Sequence, residues 1–203
     1  MAGTEIVLGS ASPRRRELFS HLFPRFSVAT SSKELEDVKQ FSPVEFAREN
    51  TYFKAKCILK SEGEPFDEEG LLFTFDTVVE RDGITLGKPS GIAQAQEMLM
   101  SLSGRSHEVH TAYLVMDYAG QMILQGVEST KVWFQPLDEN LIEAYISSGD
   151  PMDKAGAYGI QSFGGILVKR IEGCFYNVMG LPVSRLYHRL RSETELLDSL
   201  AVS

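Results

Sequence analysis

"IVLGSASPRRREL", residues 6–18, passes from three apolar residues through small ones to a proline and three arginines. The apolar triplet at 6–8 reads as a short buried strand. Ser12 suits an N-cap, and Pro13 suits the first helical position, where its missing N–H is no loss. The helix is expected over about residues 14–22, with Leu18, Phe19 and Leu22 falling at three- and four-residue steps. Arg14, Arg15 and Arg16 then stand in its first turn, where a cation opposes the helix dipole. A solvated helix face is the plain alternative. A phosphate cradle explains more, because a helix N-terminus attracts anions and guanidinium forks grip phosphate oxygens in pairs. Ser10 and Ser12 add hydroxyl donors to it.

The charge balance sharpens that point. With 28 acidic against 20 basic residues the net charge is −8, which disfavours long nucleic acid as a partner. Three clustered arginines are a local exception, of the size a small phosphorylated ligand needs. No apolar run approaches the roughly 20 residues of a membrane helix, and the N-terminus lacks the basic-then-apolar order of a secretory signal. Cys57 and Cys174 show no metal-like spacing, so a reduced, cytoplasmic setting is expected.

Further along, residues 26–29 read as a second short strand, followed by the acidic stretch 34–37. "SPVE" at 42–45 matches a capping box and predicts a helix over about 43–60. Residues 71–75 form a mostly apolar strand that continues through 81. Asp82-Gly83 is a hairpin turn signal. A helix is expected over 92–100, ended by Ser103-Gly104, then two long strands over 109–116 and 122–134 that pair as a hairpin. Asp138 should cap a helix to residue 147. The tail reads as glycine turns alternating with short strands, with a last helix over 183–197. Strands mixed with helices throughout give an α/β fold around one mixed sheet, in a single domain over 1–203.

Several segments carry chemistry. In "FTFDTVV", residues 73–79, an aspartate follows an apolar strand, where α/β sheets bind ligands. Asp76 could hold a divalent metal or take a proton from water, and Thr77 could donate to a phosphate; capping the next turn is the structural alternative. In "LGKPSG", residues 86–91, Lys88 is an ammonium held between glycine and proline. Lys54 and Lys56, in "FKAKC" at 53–57, could aim at the same point, although any single lysine also fits a solvated surface. "SGDPMDKAGAYGIQSFGG", residues 148–165, is too rich in glycine and charge for a core and suits a binding loop. The amide of Gln161 could pair with a base edge, and a flipped amide serves cytosine as well as uracil. His107 and His110 would face opposite sides of a strand, so they are read as structural. No phosphate-binding P-loop, HExxH or Cys–His zinc pattern is present.

Taken in order, "SASPRRREL", "FDTVV", "GKP", "LSGRSHEVHT", "SGDPMDKAGAYGIQ" and "IEGCFYNVMGLP" resemble the motifs of the Maf family over nearly the whole chain. The resemblance implies a nucleoside triphosphate pyrophosphatase with an inosine triphosphatase-like (Maf/Ham1) fold. Such a fold has a strongly twisted mixed sheet flanked by helices, with two lobes around a cleft. It further implies a homodimer and a divalent metal cofactor, Mg²⁺ or Mn²⁺. Carried over by position, Ser10, Arg14 and Arg15 match the phosphate signature, and Lys54 and Lys88 match the family's lysines. Asp76 matches the catalytic aspartate, with Thr77 beside it, and the acidic stretch would supply a second metal ligand, Glu36 or its neighbour Asp37. "DKAGAYGIQ", ending at Gln161, looks like the dTTP/UTP branch rather than the 7-methyl-GTP branch. Two positions depart from the pattern. Phe75 replaces a small residue and could narrow the pocket, and the acidic loop reads Glu36-Asp37 instead of Asp-Glu. The rival readings are a haloacid-dehalogenase-like phosphatase, which needs an aspartate where Val78 stands, and a non-catalytic nucleotide-binding regulator of cell division.

Overall fold

The opening stretch folds as strand then helix. β1 (Glu5–Gly9) leads to α1 (Pro13–Ser20), and the Ser12 hydroxyl accepts from the Arg15 N–H at 3.4 Å. The computed structural model describes residues 4–31, 33, 35, 40–61 and 70–194. β2 (Ser27–Val28) and α2 (Pro43–Leu59) follow, and α2 starts with the expected capping box: Glu45 N–H to Ser42 Oγ, and Ser42 N–H to Glu45 Oε2. The acidic stretch containing Glu36 lies outside the described residues.

β3 (Gly70–Arg81) and β4 (Ile84–Leu86) form the hairpin signalled by Asp82-Gly83, both with positive φ, as a tight primed turn requires. α3 (Ile92–Leu102), β5 (Ser106–Asp117), β6 (Met122–Phe134) and α4 (Glu139–Ser147) come next, with Asp138 as the α4 cap. The tail departs from expectation. Instead of several short strands it makes three 3₁₀ turns (Asp150–Asp153, Ala155–Ala157, Ser162–Leu167), one strand β7 (Val168–Glu172) and the helices α5 (Phe175–Val178) and α6 (Val183–Glu193). Closely spaced glycines with positive φ, at 149 and 156, interrupt every run before a ladder can form.

The strands make one mixed sheet in the order β2-β1-β3-β5-β6-β7, with β4 on β3. β1 pairs in parallel with β2 and β3, and the other pairings are antiparallel. Side-chain alternation along β3 sorts the layers. Leu72 and Val78 pack under α2. Phe73 and Phe75, on the opposite face, join Leu18 and Phe19 of α1 and Leu186 and Leu190 of α6. Val79, further along that face, belongs to a second core with α3 and α4. Two apolar cores thus share one face of the sheet, and Thr77 lies between them.

β3 carries one consequence for function. Its edge pairs with β1 only as far as Gly9↔Thr74, and with β4 only from Val79↔Leu86 onward. Residues 75–78 therefore border a gap in the sheet.

His107 faces the second core, 3% exposed, with its Nε2 at 2.7 Å from the Tyr158 hydroxyl and its ring against Phe134. His110 faces the other way, towards Glu80 at 2.9 Å and Ser129 at 2.7 Å, as strand alternation predicts. Burial pushes the His107 imidazole down to about 4. Because the unfolded chain titrates near 6.5, it takes up a proton that the folded chain refuses. His107 thus costs no stability above pH 6.5, and its cost grows as pH falls from 6.5 to 4, reaching about 3 kcal/mol. Urea midpoints measured across that window should fall in the wild type and fall less in His107→Gln; equal slopes would dismiss the assignment.

Candidate active site

The gap beside β3 opens into a cleft of about 1090 Å³. Asp76 and Thr77, consecutive on the unpaired stretch, point to opposite faces of the sheet and both line the cleft. That edge position is what makes two adjacent strand residues accessible together. On the α2 side, Lys54 Nζ lies 2.6 Å from Asp76 Oδ1, and both side chains are nearly buried. At this depth removing either partner would strand a charge, so the two groups hold each other in place.

On the other face, Arg15 is held at all three guanidinium nitrogens. Nε donates to the Gly180 carbonyl at 2.8 Å, Nη1 to Ser10 Oγ at 3.3 Å and Nη2 to Thr77 Oγ1 at 2.9 Å. Ser10 Oγ also accepts from the Ser12 N–H at 3.3 Å, which folds the β1–α1 turn around it. Phe75 lines the base of the cleft. Its ring is 1% exposed in the core beneath α1, 6.0 Å from the Arg15 guanidinium carbon, so it forms the floor on which Arg15 rests.

Arg14 reaches across the cleft to Asp153, 3.5 Å away, in the first 3₁₀ turn of the glycine-rich segment. Burial raises the Asp153 carboxyl, but the Lys154 ammonium and Arg14 outweigh it and leave the group below the usual carboxylate range. Lys154 itself is almost buried and bonds to Asp150 Oδ1 at 2.8 Å and Asp153 Oδ1 at 2.6 Å. The Tyr145 hydroxyl donates to Asp150 Oδ2 at 2.7 Å and accepts from the Gly159 N–H at 3.0 Å. The segment read as a binding loop is thus clamped from within by its own lysine. Its end presents Gln161, half-buried, to the cleft. The Gly156 N–H donates to the Gly87 carbonyl at 3.0 Å, tying this segment to the strip that bears Lys88.

The structure therefore brings Ser10, Arg14, Arg15, Lys54, Asp76, Thr77, Lys88 and Gln161 to one cleft, although their positions span 152 residues of chain from 10 to 161. Two expected contributors are elsewhere. Arg16 is exposed away from the lining, because one residue along a helix turns the side chain by about 100°. Lys56 stacks on Tyr52 with its ammonium 4.4 Å from the ring centre, two residues and half a turn from Lys54. Glu36 lies outside the described residues. Thr111, Asn177 and Gly180 were not picked out by sequence reading; only the positive-φ demand of a glycine inside "NVMGLP" hinted at the last.

Among the described residues no three of His, Cys, Asp and Glu stand together as a preformed metal cage. One carboxylate facing a cleft lined by Arg14, Arg15 and Lys88 would nevertheless fit a hard ion such as Mg²⁺, which usually takes one or two carboxylates and completes its shell with substrate phosphates and water.

Gly180 has φ of +102°, and a Cβ there would stand 3.3 Å from both Arg15 Nε and Thr77 Oγ1. Gly180→Ala should cost about 1–3 kcal/mol of stability through backbone strain. Thermal unfolding of the variant would check this, and an unchanged midpoint would show that the turn accepts a side chain.

The Maf-like protein family model matches residues 5–193. A relative from Carboxydothermus hydrogenoformans, named dTTP/UTP pyrophosphatase, is 43% identical over 92% of this chain and 97% of its own. Another of the same name, from Pyrococcus furiosus, is 44% identical over 88% and 90%. Among solved structures, the Ham1 protein of Staphylococcus aureus aligns over 97% of this chain and 94% of its own, at a TM-score of 0.47 and 13% identity. With a family match from residue 5 to residue 193 and relatives above 40% identity over most of both chains, this protein belongs to the Maf family.

Proposed function

We propose that this protein hydrolyses nucleoside triphosphates, dTTP and UTP foremost, to the monophosphate and pyrophosphate. The observation that carries the reading is the meeting of a lysine-held carboxylate, Asp76, with the Ser10–Arg15 turn and the N-terminus of α1 at one gap in the sheet. The relatives named dTTP/UTP pyrophosphatase support the same substrate class.

In this reading Ser10, Arg14, Arg15 and Lys88 bind the triphosphate and offset its charge, aided by the unpaired N–H groups of α1. Arg14 exchanges Asp153 for phosphate oxygens as the nucleotide enters. Lys54 occupies Asp76 Oδ1, so Oδ2 is the oxygen that accepts a proton from the attacking water. The water oxygen forms a bond to the α-phosphorus as the bond from that phosphorus to the α–β bridging oxygen breaks. Pyrophosphate leaves against the arginine wall. Gln161 reads the pyrimidine edge by its amide. A Mg²⁺ or Mn²⁺ ion would be held by Asp76, with Glu36 as the second ligand that the family resemblance implies; bound there it would supply charge neutralisation to the phosphates.

The rival readings fit less well. A dehalogenase-like phosphatase needs a second aspartate at position 78, and Val78 is packed in the apolar cluster with Phe46 and Ala47. A regulator that only binds nucleotide has no use for a buried lysine–carboxylate pair at the phosphate end. The proposal extends to a homodimer in the cytoplasm, in keeping with the family resemblance and with two free thiols, Cys57 and Cys174. No helix among the described residues is long and apolar enough to cross a membrane.

A panel of standard and modified nucleoside triphosphates with Mg²⁺ or Mn²⁺ tests the reading. Pyrophosphate release from dTTP and UTP is expected, whereas orthophosphate, or binding without turnover, would refute it. Asp76→Asn should lower turnover by about 10²–10⁴ with the fold intact by circular dichroism, which is the usual worth of a general base. Near-normal turnover in that variant would remove Asp76 from the reaction.

A further inference from the structure

Thr77 lines the cleft beside the phosphate-binding arginines, so it looks like a hydroxyl donor to substrate. Its hydrogen bonds argue otherwise. Thr111 Oγ1 is 3.0 Å from the Asn177 carbonyl oxygen and 2.9 Å from Thr77 Oγ1. Thr111 and Asn177 are fully buried, so water cannot rearrange the contacts. A carbonyl cannot donate, and two unshared oxygens facing each other at 3.0 Å in a buried site would be costly. The single Thr111 hydrogen therefore goes to Asn177. Arg15 Nη2 can only donate to Thr77 Oγ1, 2.9 Å away. The one hydrogen left for the Thr77–Thr111 contact is that of Thr77.

The chain thus has one polarity: Arg15 to Thr77, Thr77 to Thr111, Thr111 to the Asn177 carbonyl. It also closes on itself. The Gly180 N–H donates to that same Asn177 carbonyl at 2.9 Å, and the Gly180 carbonyl accepts from Arg15 Nε at 2.8 Å. Asn177 is anchored to the sheet by its side-chain nitrogen, which donates to the Val109 carbonyl and to Thr130 Oγ1, both at 2.9 Å. Ser10 differs from Thr77: its oxygen accepts from both Arg15 and Ser12, so its hydrogen is the one that can turn to a phosphate.

We propose that Thr77 and Thr111 are positioning residues that aim the Arg15 guanidinium through a closed hydrogen-bond ring whose two arms both run from Arg15 to the Asn177 carbonyl, and that Ser10, not Thr77, supplies the hydroxyl donor to the substrate. The inference rests on the proposed function only for its activity readout. Thr111 lies outside the cleft lining, so its effect on turnover must pass through its neighbours.

The test is a double-mutant cycle on kcat/KM for pyrophosphate release from dTTP. Thr77→Val and Thr111→Val should each lower kcat/KM about tenfold in the wild-type background and less than about twofold in an Arg15→Ala background, since coupled residues deviate from additivity and independent ones do not. Thr111→Ser, which keeps the hydroxyl, should stay within about threefold of the wild type. Losses of equal size in both backgrounds would overturn the proposal and make Thr77 a direct donor. Should Thr111→Val not fold, Thr77→Val carries the cycle alone. Failure of the wild type to release pyrophosphate would count against the functional reading, not this one. The Arg15 Nε–H signal in nitrogen-edited spectra of nucleotide-free protein then decides: protected in the wild type and exchanging at least about tenfold faster in Thr77→Val if the ring holds Arg15, unchanged if it does not.

Discussion

Everything at the site depends on the interrupted edge of β3. β1 stops pairing with β3 at Gly9↔Thr74 and β4 takes up the pairing only at Val79↔Leu86, so four residues of an otherwise central strand have no neighbour on that side. A continuous ladder would bury Asp76 on one face and Thr77 on the other, with no path between them. The interruption lets one opening reach both faces. It also leaves the β1–α1 turn pointing across the gap, so the helix N-terminus and the Asp76 carboxylate come to face the same space. β1 is the element with parallel partners on either side, and a chain turning from such a strand into a helix is where open α/β sheets bind phosphates.

Around this opening the two faces are built differently. The α2 side holds the Lys54–Asp76 ion pair against the apolar cluster of Phe46, Ala47, Val78 and Ala112. The other side holds a neutral hydrogen-bonded belt, Thr77, Thr111, Asn177 and Thr130, between two apolar cores. On the α2 side the charges are paired with each other, whereas on the other side the Arg15 guanidinium rests on neutral polar groups that fix its geometry. The belt also explains how two cores share one sheet face without merging: the strand residues between them are satisfied by hydrogen bonds and not by packing.

The glycine-rich segment shows a similar division. Its two aspartates and its lysine neutralise each other, with Tyr145 underneath, so most of its charge is internal. What it offers the cleft is the outward oxygen of Asp153, paired with Arg14, and the amide of Gln161. A mixed-charge loop can therefore serve as a rigid wall, and the charge count of such a loop is a poor guide to the charge it presents.

Much was legible in the sequence because it depends on neighbours a few residues apart. The N-caps Ser12, Ser42 and Asp138, the Asp82-Gly83 turn and the long strands of β5 and β6 are local agreements between residue type and backbone, and they appear where the pattern put them. Ser10, Arg14, Arg15, Lys54, Asp76, Lys88 and Gln161 stood out as candidates through spacing and family resemblance, and the fold lines one cleft with them. Three things were decided only by the tertiary fold: which of three arginines face the cleft, the conversion of the tail from strands to 3₁₀ turns, and the role of Thr111, Asn177 and Gly180. Each turns on contacts between residues separated by tens of positions, such as Arg15 with Gly180, whose free energy exists only once the sheet has brought them together. A linear chain carries the donors and acceptors; where each hydrogen goes is settled by the three-dimensional neighbours that remain to receive it.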